Sequence, residues 1–406
     1  MAQILLFQNF KKMRLLNKSK ILYLDEVGGI WKHKSANLEL LQKISGWDEN
    51  RFYYFVEVKN FSAVRKLKDE LPKIILDVLK NGLIDIILCN SHEAFHSLIE
   101  PLYYDFIIPL NLNEDNVIMV SESADIKFQI KNLAEQTGKK PVRCIWTRIF
   151  EFNVAEQINS QVSQGKTFPT LHFKTYDKKF INFNRRWRLH RPVLVGSLEA
   201  RQLLKYGFVS LAASEDGFNW NNIWDIIMDK HPVEKFPYIS NLLKENEQTI
   251  RSLPPMYLDT EELIYNKATL LRSTDHYYQN TYFSLVNETN FYINIPGEEP
   301  GRFFSEKTFK PIGERHPFIL VNPPYSLSKL REIGYQTFNP YINESYDQEL
   351  DDDKRLKMIL DEVERLCNLT DNELAYFLAN VSPICDHNQQ VLRNKKLKDF
   401  SEFIND

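Results

Sequence analysis

The stretch KKFINFNRRWRLHRPVLVGSLEARQLLKYGFVSLA, residues 178–212, decides the fold. KKFINFN reads as a strand. A basic turn follows, then a helical run for which Gly207 is the expected C-cap, and FVSLA (208–212) is the next strand. A strand, a helix and a second strand in that order make a crossover unit, so an α/β layering is expected here.

The same alternation fills the first third of the chain. KILYLD (20–25), FYYFVEV (52–58), IDIILC (84–89), NVIMVSE (116–122) and PVRCIWT (141–147) read as strands, with helical patterns between them. These runs are continuously apolar rather than alternating, as in parallel strands covered on both faces. Further strands are expected at YFSLVNET (282–289) and HPFILVNP (316–323), with SEKTFKPIGER between them as helix. The expected organisation is an α/β domain over 1–170, a second over 171–345, and a helical tail over 346–406. Two such domains leave a cleft, and ligands of such sheets sit at the carboxyl ends of the strands.

Composition narrows the class. With 406 residues, 43% hydrophobic and 26% charged, the chain suits a soluble protein of more than one core. It has no apolar run of the roughly 20 residues that span a bilayer. Its N-terminus places charges after a short apolar patch, the reverse of a signal peptide. Cys89, Cys144, Cys367 and Cys385 lie far apart, which favours reduced thiols and a cytoplasmic setting. A net charge of −3 gives no general pull towards nucleic acid.

Two segments carry candidate chemistry. Residues 178–191 hold Lys178, Lys179, Arg185, Arg186, Arg188 and Arg191 and no acid. Cations at the start of a helix suit a pyrophosphate, because the free N–H groups and the forked guanidinium both favour phosphate oxygens. The alternative is a solvated basic turn. The second segment, 286–324, places Glu288 at the end of a strand and Ser305 as the cap of a helix opening Glu306-Lys307. Glu306 suits either the helix terminus or a ribose diol, and Lys307 suits a phosphate. The loop between, with Gly297, Pro300 and Gly301, is expected to be free to close over a ligand.

The string E-T, a loop, S-E-K-T-F-K-P-I, then H-P-F-I-L-V and L-R-x-x-G-Y-x-T-F resembles the nucleotide-sugar half of GT-B glycosyltransferases. It is most similar to α1,3-fucosyltransferase-like enzymes and to a related group of phages and large DNA viruses. The resemblance covers about 180–347, and the DHN at 386–388 also fits the viral group. It implies two Rossmann-like domains facing a cleft, with C-terminal helices, and transfer of a sugar from a nucleoside diphosphate sugar to an acceptor hydroxyl without a metal. No cofactor beyond that co-substrate is implied. Arg186, Arg188 and Arg191, with Lys307, would hold the diphosphate, and Arg185, Thr289 and Ser305 would belong to the same donor site. Glu306 would hold the ribose, and Glu288 would touch the sugar or a donor-side hydroxyl. The acceptor is a glycan or, alternatively, a hydroxymethylated base in phage DNA, faced by Lys11, Lys12, Arg14, Lys18 and Lys20. A phage or viral protein of this kind would work in the host cytoplasm.

CNSHEAFHSL (89–98) contains H-E-x-x-H, the zinc-protease signature, so a zinc hydrolase is a further alternative. The context argues against it: His92 falls in the first helical turn, Pro101 is expected to cut the helix short, and positions 99 and 102 are Ile and Leu. Glu114 or Glu122 would have to be the third ligand. Under the glycosyltransferase resemblance, His92 or Glu93 is instead the general base for the acceptor hydroxyl. The acids at 351–353 are read as a solvated run leading into a helix rather than a metal site.

Overall fold

The computed structural model describes residues 14–16, 21–23, 52–58, 61–90, 99–168, 176–212, 222–258, 275–295, 298 and 300–395. The chain divides into two compact units after Ile149. Each is α/β and built on a sheet of mainly parallel strands.

The first unit has a six-stranded sheet in the order β1 (Arg14–Leu16), β2 (Ile21–Tyr23), β3 (Phe52–Glu57), β4 (Ile84–Asn90), β5 (Val117–Ser121) and β6 (Arg143–Trp146). β2 to β6 run parallel, and β1, which the sequence pattern had not suggested, pairs antiparallel with β2. Every residue of β4 is buried, which explains its unbroken apolar pattern. The polar exceptions are Asn90 and Asp85, whose buried carboxylate accepts from Asn116 Nδ2 at 2.8 Å and from Arg143 Nη2 at 2.6 Å. A buried charge is tolerated when it is paired in this way. Pro72 splits the long helical pattern after β3 into α1 (Phe61–Glu70) and α2 (Lys73–Lys80).

Pro101 does not end its helix. Helical structure runs on through a wide π turn, Leu102–Ile107, to Leu110. Burial of Tyr103, Phe106 and Ile107 holds this run, and the Tyr103 hydroxyl joins Lys140 O to Val142 N at 3.0 Å each. Proline removes one N–H from the helix ladder, and a π turn is one way to absorb the loss.

The second unit has a four-stranded sheet, β7 (Phe180–Asn182), β8 (Gly207–Val209), β9 (Phe283–Asn287) and β10 (Phe318–Val321). All pairs are parallel, in the spatial order β10–β9–β7–β8. The chain leaves β7 towards one edge and leaves β9 towards the other, so the strand order reverses between β7 and β9. Such a switch point is where ligands of open α/β sheets bind.

Gly207 caps a short 3-10 turn, Leu204–Tyr206, rather than the preceding α-helix. α3 (His190–Ala200) ends earlier, and Gly207 opens β8 with φ −113°. Contact, not conformation, demands glycine: a Cβ there would stand 2.5 Å from the Phe180 ring. α4 (Glu306–Gly313) lies between β9 and β10, and α5 (Asp352–Cys367) and α6 (Asp371–Arg393) come after the last strand. The DHN segment lies on α6: Asp386 pairs with Arg315, His387 bonds Gly334 O at 3.1 Å, and Asn388 bonds both the N–H and the C=O of Gln336. Among the described residues no helix is long and apolar enough to cross a membrane. No two of the four cysteines form a disulfide.

The acids at 351–353 lead into a helix, but two of them are buried rather than solvated. Asp351 caps α5. Asp352 accepts from Ile293 N and Asn294 N and pairs with Arg355 at 2.5 Å. Asp353 accepts from Tyr238 N and Ile239 N at 2.8 Å each. They are anchors for backbone N–H groups of other segments, which sequence position alone does not show.

Two predictions follow from burial. Gly207→Ala is expected to destabilise the second unit by about 2 kcal/mol through overpacking against Phe180, read as a lower urea midpoint. His231, between Ile227 O and the Tyr292 hydroxyl, and His316, between Thr281 O and the Ser284 hydroxyl, are both buried, and burial pushes each down to about 4. The unfolded chain takes up these protons near pH 6.5 and the folded chain only near pH 4. Stability is therefore full above pH 6.5 and falls between pH 6.5 and 4. The slope of urea midpoint against pH over that window is expected to flatten in the His231→Gln/His316→Gln double variant.

Candidate functional site

The carboxyl ends of β7, β8 and β9 carry a row of buried polar side chains. Asn182 Nδ2 donates to Leu285 O at 2.7 Å, a carbonyl that can only accept, so its Oδ1 faces Asn184. Asn184 Nδ2 donates to that Oδ1 and, at 3.0 Å, to Ser210 O. Asn184 Oδ1 in turn accepts from Asn287 Nδ2 at 2.8 Å. The amide chain is thereby oriented along its whole length, with Asn287 Oδ1 as its acceptor end.

The residue after Asn287 is Glu288, fully buried just beyond β9. Its carboxylate accepts four hydrogen bonds from the start of α4: Ser305 N at 2.9 Å, Ser305 Oγ at 2.7 Å, Thr308 N at 3.2 Å and Thr308 Oγ1 at 2.5 Å. A carboxylate at a helix N-terminus is favoured by the free N–H groups and the dipole there. The main-chain carbonyl of Glu288 points to the other segment. It accepts from His190 Nε2 at 3.0 Å and Arg191 Nη2 at 3.2 Å. One residue thus ties the basic turn after β7 to the first turn of α4.

In the basic turn Arg191 is buried and also donates to Arg186 O at 2.7 Å. Arg188 and Arg185 are half-buried, and Arg186 is exposed. Arg188 Nη1 donates to Trp187 O at 2.9 Å. At the other segment Ser305 caps α4 by accepting from Lys307 N at 3.2 Å, as its sequence position suggests. Lys307 Nζ donates to Ser305 Oγ at 3.1 Å and lies 3.4 Å from Glu306 Oε1. Burial pushes the Glu306 carboxyl up, but Lys307 and Lys310 overcome this and hold it at about 2. Thr289 is half-buried.

Three features were not anticipated. First, the N–H groups of Lys307 and Thr308 are taken by Ser305 and Glu288, so the cations available to an anion at α4 are side chains. Second, Lys310, one turn after Lys307 and half-buried, adds a second cation beside Glu306; burial, opposed by Glu306, lowers its ammonium pKa. Lysines at i and i+3 share a helix face, which is the signal that would have found it. Third, the loop after Glu288 is pinned near both ends rather than free. Asn290 Nδ2 donates to Gly301 O at 2.7 Å, Asp352 holds Ile293 and Asn294, and Arg355 stands 4.4 Å over the Phe291 ring while donating to Phe291 O. Gly297 lies outside the described residues.

So do His92 and Glu93, with the rest of the H-E-x-x-H stretch, and Lys11, Lys12, Lys18 and Lys20. Arg14 opens β1. Among the described residues no group of three His, Cys, Asp or Glu side chains is placed to hold a metal ion. No protein-family model matches this chain, and neither does any curated protein.

Because Glu288 satisfies several buried donors at once, Glu288→Ala is expected to destabilise the second unit by about 3 kcal/mol. Glu288→Gln, which keeps one acceptor oxygen, is expected to cost less. Urea titration of the two variants checks the order.

Proposed function

We propose that this protein is a glycosyltransferase that moves a sugar from a nucleoside diphosphate sugar to an acceptor hydroxyl, using side-chain cations rather than a metal ion at the leaving group. The observation that carries this reading is the meeting of two basic segments at Glu288, beside the switch point of the second sheet. As the anomeric C–O bond breaks, its electron pair passes to the diphosphate and negative charge grows on the departing oxygen. Preorganised donors aimed at growing charge are the strongest general source of rate enhancement. Arg188 and Arg191 would supply them from one side, and Lys307 and Lys310 from α4.

Glu306 stays ionised near neutral pH, which suits an acceptor for the ribose hydroxyls. Glu288, with its carboxylate enclosed by α4, serves as a positioning residue. The acceptor hydroxyl loses its proton to a general base, for which His92 and Glu93 are the candidates. The acceptor itself is a glycan or a hydroxymethylated base of DNA, and salt-dependent binding to duplex DNA distinguishes the second.

A thermal-shift screen of UDP- and GDP-sugars tests the reading, since a ligand of the folded state raises apparent stability. One donor class is expected to bind. Lys307→Ala, Lys310→Ala and Arg188→Ala are each expected to weaken it about tenfold, or roughly 1.4 kcal/mol. Unchanged affinity in all three places the donor elsewhere.

A further inference from the structure

His190 and Asn287 lie together on the floor of the switch point, each about 1% exposed. His190 Nε2 meets Glu288 O, which only accepts, so Nε2 carries the hydrogen and Nδ1 of the neutral ring is a bare acceptor. Asn287 Oδ1 is fixed as an acceptor by the amide chain that ends there. Among the described residues neither atom has a hydrogen-bond partner. His190 bonds the carbonyl of Glu288, the residue directly after Asn287, so both buried acceptors lie in one small region and a proton on Nδ1 would bring a donor there. Buried acceptors without donors are uncommon and costly, so a state that supplies one is favoured by the protein itself.

What withholds the proton is burial first and the surrounding charge second. Burial holds His190 well below its usual value, and Arg191 and Arg188 press it further down, while Glu288 O and Asn287 act the other way. Among the described residues, the rings against His190 are Phe291, 5.8 Å away, and Tyr292, 6.1 Å away. Behind Tyr292 stands His231, also held low, and Arg355 with its partner Asp352 stands behind Phe291. The carboxylate of Glu288 is turned to α4.

Resting on the donor site described above, we propose that a nucleoside diphosphate sugar bound beside Arg188 and Arg191 brings one proton from solvent onto His190 Nδ1, which then donates to Asn287 Oδ1. No covalent bond other than the new N–H forms. The anion offsets the two guanidinium charges, and its own negative charge acts against the cost of burying the imidazolium. By linkage, a proton that binds with the ligand makes the ligand bind more tightly as pH falls. The imidazolium adds a third positive charge under the diphosphate, present only when the site is filled.

Isothermal titration with UDP- and GDP-sugars tests this, because their phosphates stay fully ionised across the range. Titrations are run between pH 5.5 and 7.5 in pairs of buffers with different ionisation enthalpies. Uptake of a substantial fraction of one proton, and affinity rising towards low pH by up to about tenfold per unit, are expected. His190→Gln keeps an amide donor for Glu288 O and is expected to bind with neither effect. Binding with no buffer dependence overturns the proposal and leaves the donor site standing. Equal proton uptake in His190→Gln also overturns it. Absence of binding by every sugar nucleotide overturns the donor site and this proposal with it. If His190→Gln fails to fold, the buffer dependence of the parent protein decides alone.

Discussion

The second unit depends on a buried carboxylate given to a helix. Glu288 is sealed from solvent, and its charge is met by two N–H groups and two hydroxyls from the first turn of α4. Desolvating a carboxylate is expensive unless every lone pair is used. The consequence is positional: Ser305, Glu306 and Lys307 cannot move independently of β9. The same residue offers its carbonyl to His190 and Arg191, so the basic turn after β7 is held to the same point. Two segments more than a hundred residues apart in sequence therefore share one anchor.

Around that anchor the side chains of the candidate site are held by one another. The oriented chain Asn182–Asn184–Asn287 fixes the floor. Asp352 and Arg355 fix the loop after Glu288 from behind. Groups that are already placed need not be reorganised when a charged ligand binds, which is how fixed dipoles and cations become effective. Pinning at 290 and at 293–294 removes the need for a loop to fold over the ligand in order to assemble these donors.

Much of the fold was legible because its strands are buried on both faces. IDIILC, VIMVS and FILV declare themselves by predominantly apolar character without alternation, and the parallel order follows from the helices between. Where the pattern misled, tertiary contact was the reason. Gly207 reads as the stop of the helix over α3 but ends only a short 3-10 turn, and it is small because Phe180 lies against it. Pro101 looks like a break but is carried through a π turn. Of the site, Ser305 and the arginine turn were legible, because caps and charge runs are local. The asparagines were not: an Asn near the end of a strand reads as a turn former, and only the neighbouring strand shows that it bonds sideways. Asp352 and Asp353 were likewise invisible as anchors, since their partners lie some 60 and 115 residues away.

The most direct measurement of the central claim is hydrogen exchange by mass spectrometry, with and without a nucleoside diphosphate sugar. Protection is expected to rise together in 184–191 and 288–310, because a ligand held by both segments raises the cost of opening either. Protection confined to one of these segments, or found only in the first unit, would contradict a donor site built on Glu288.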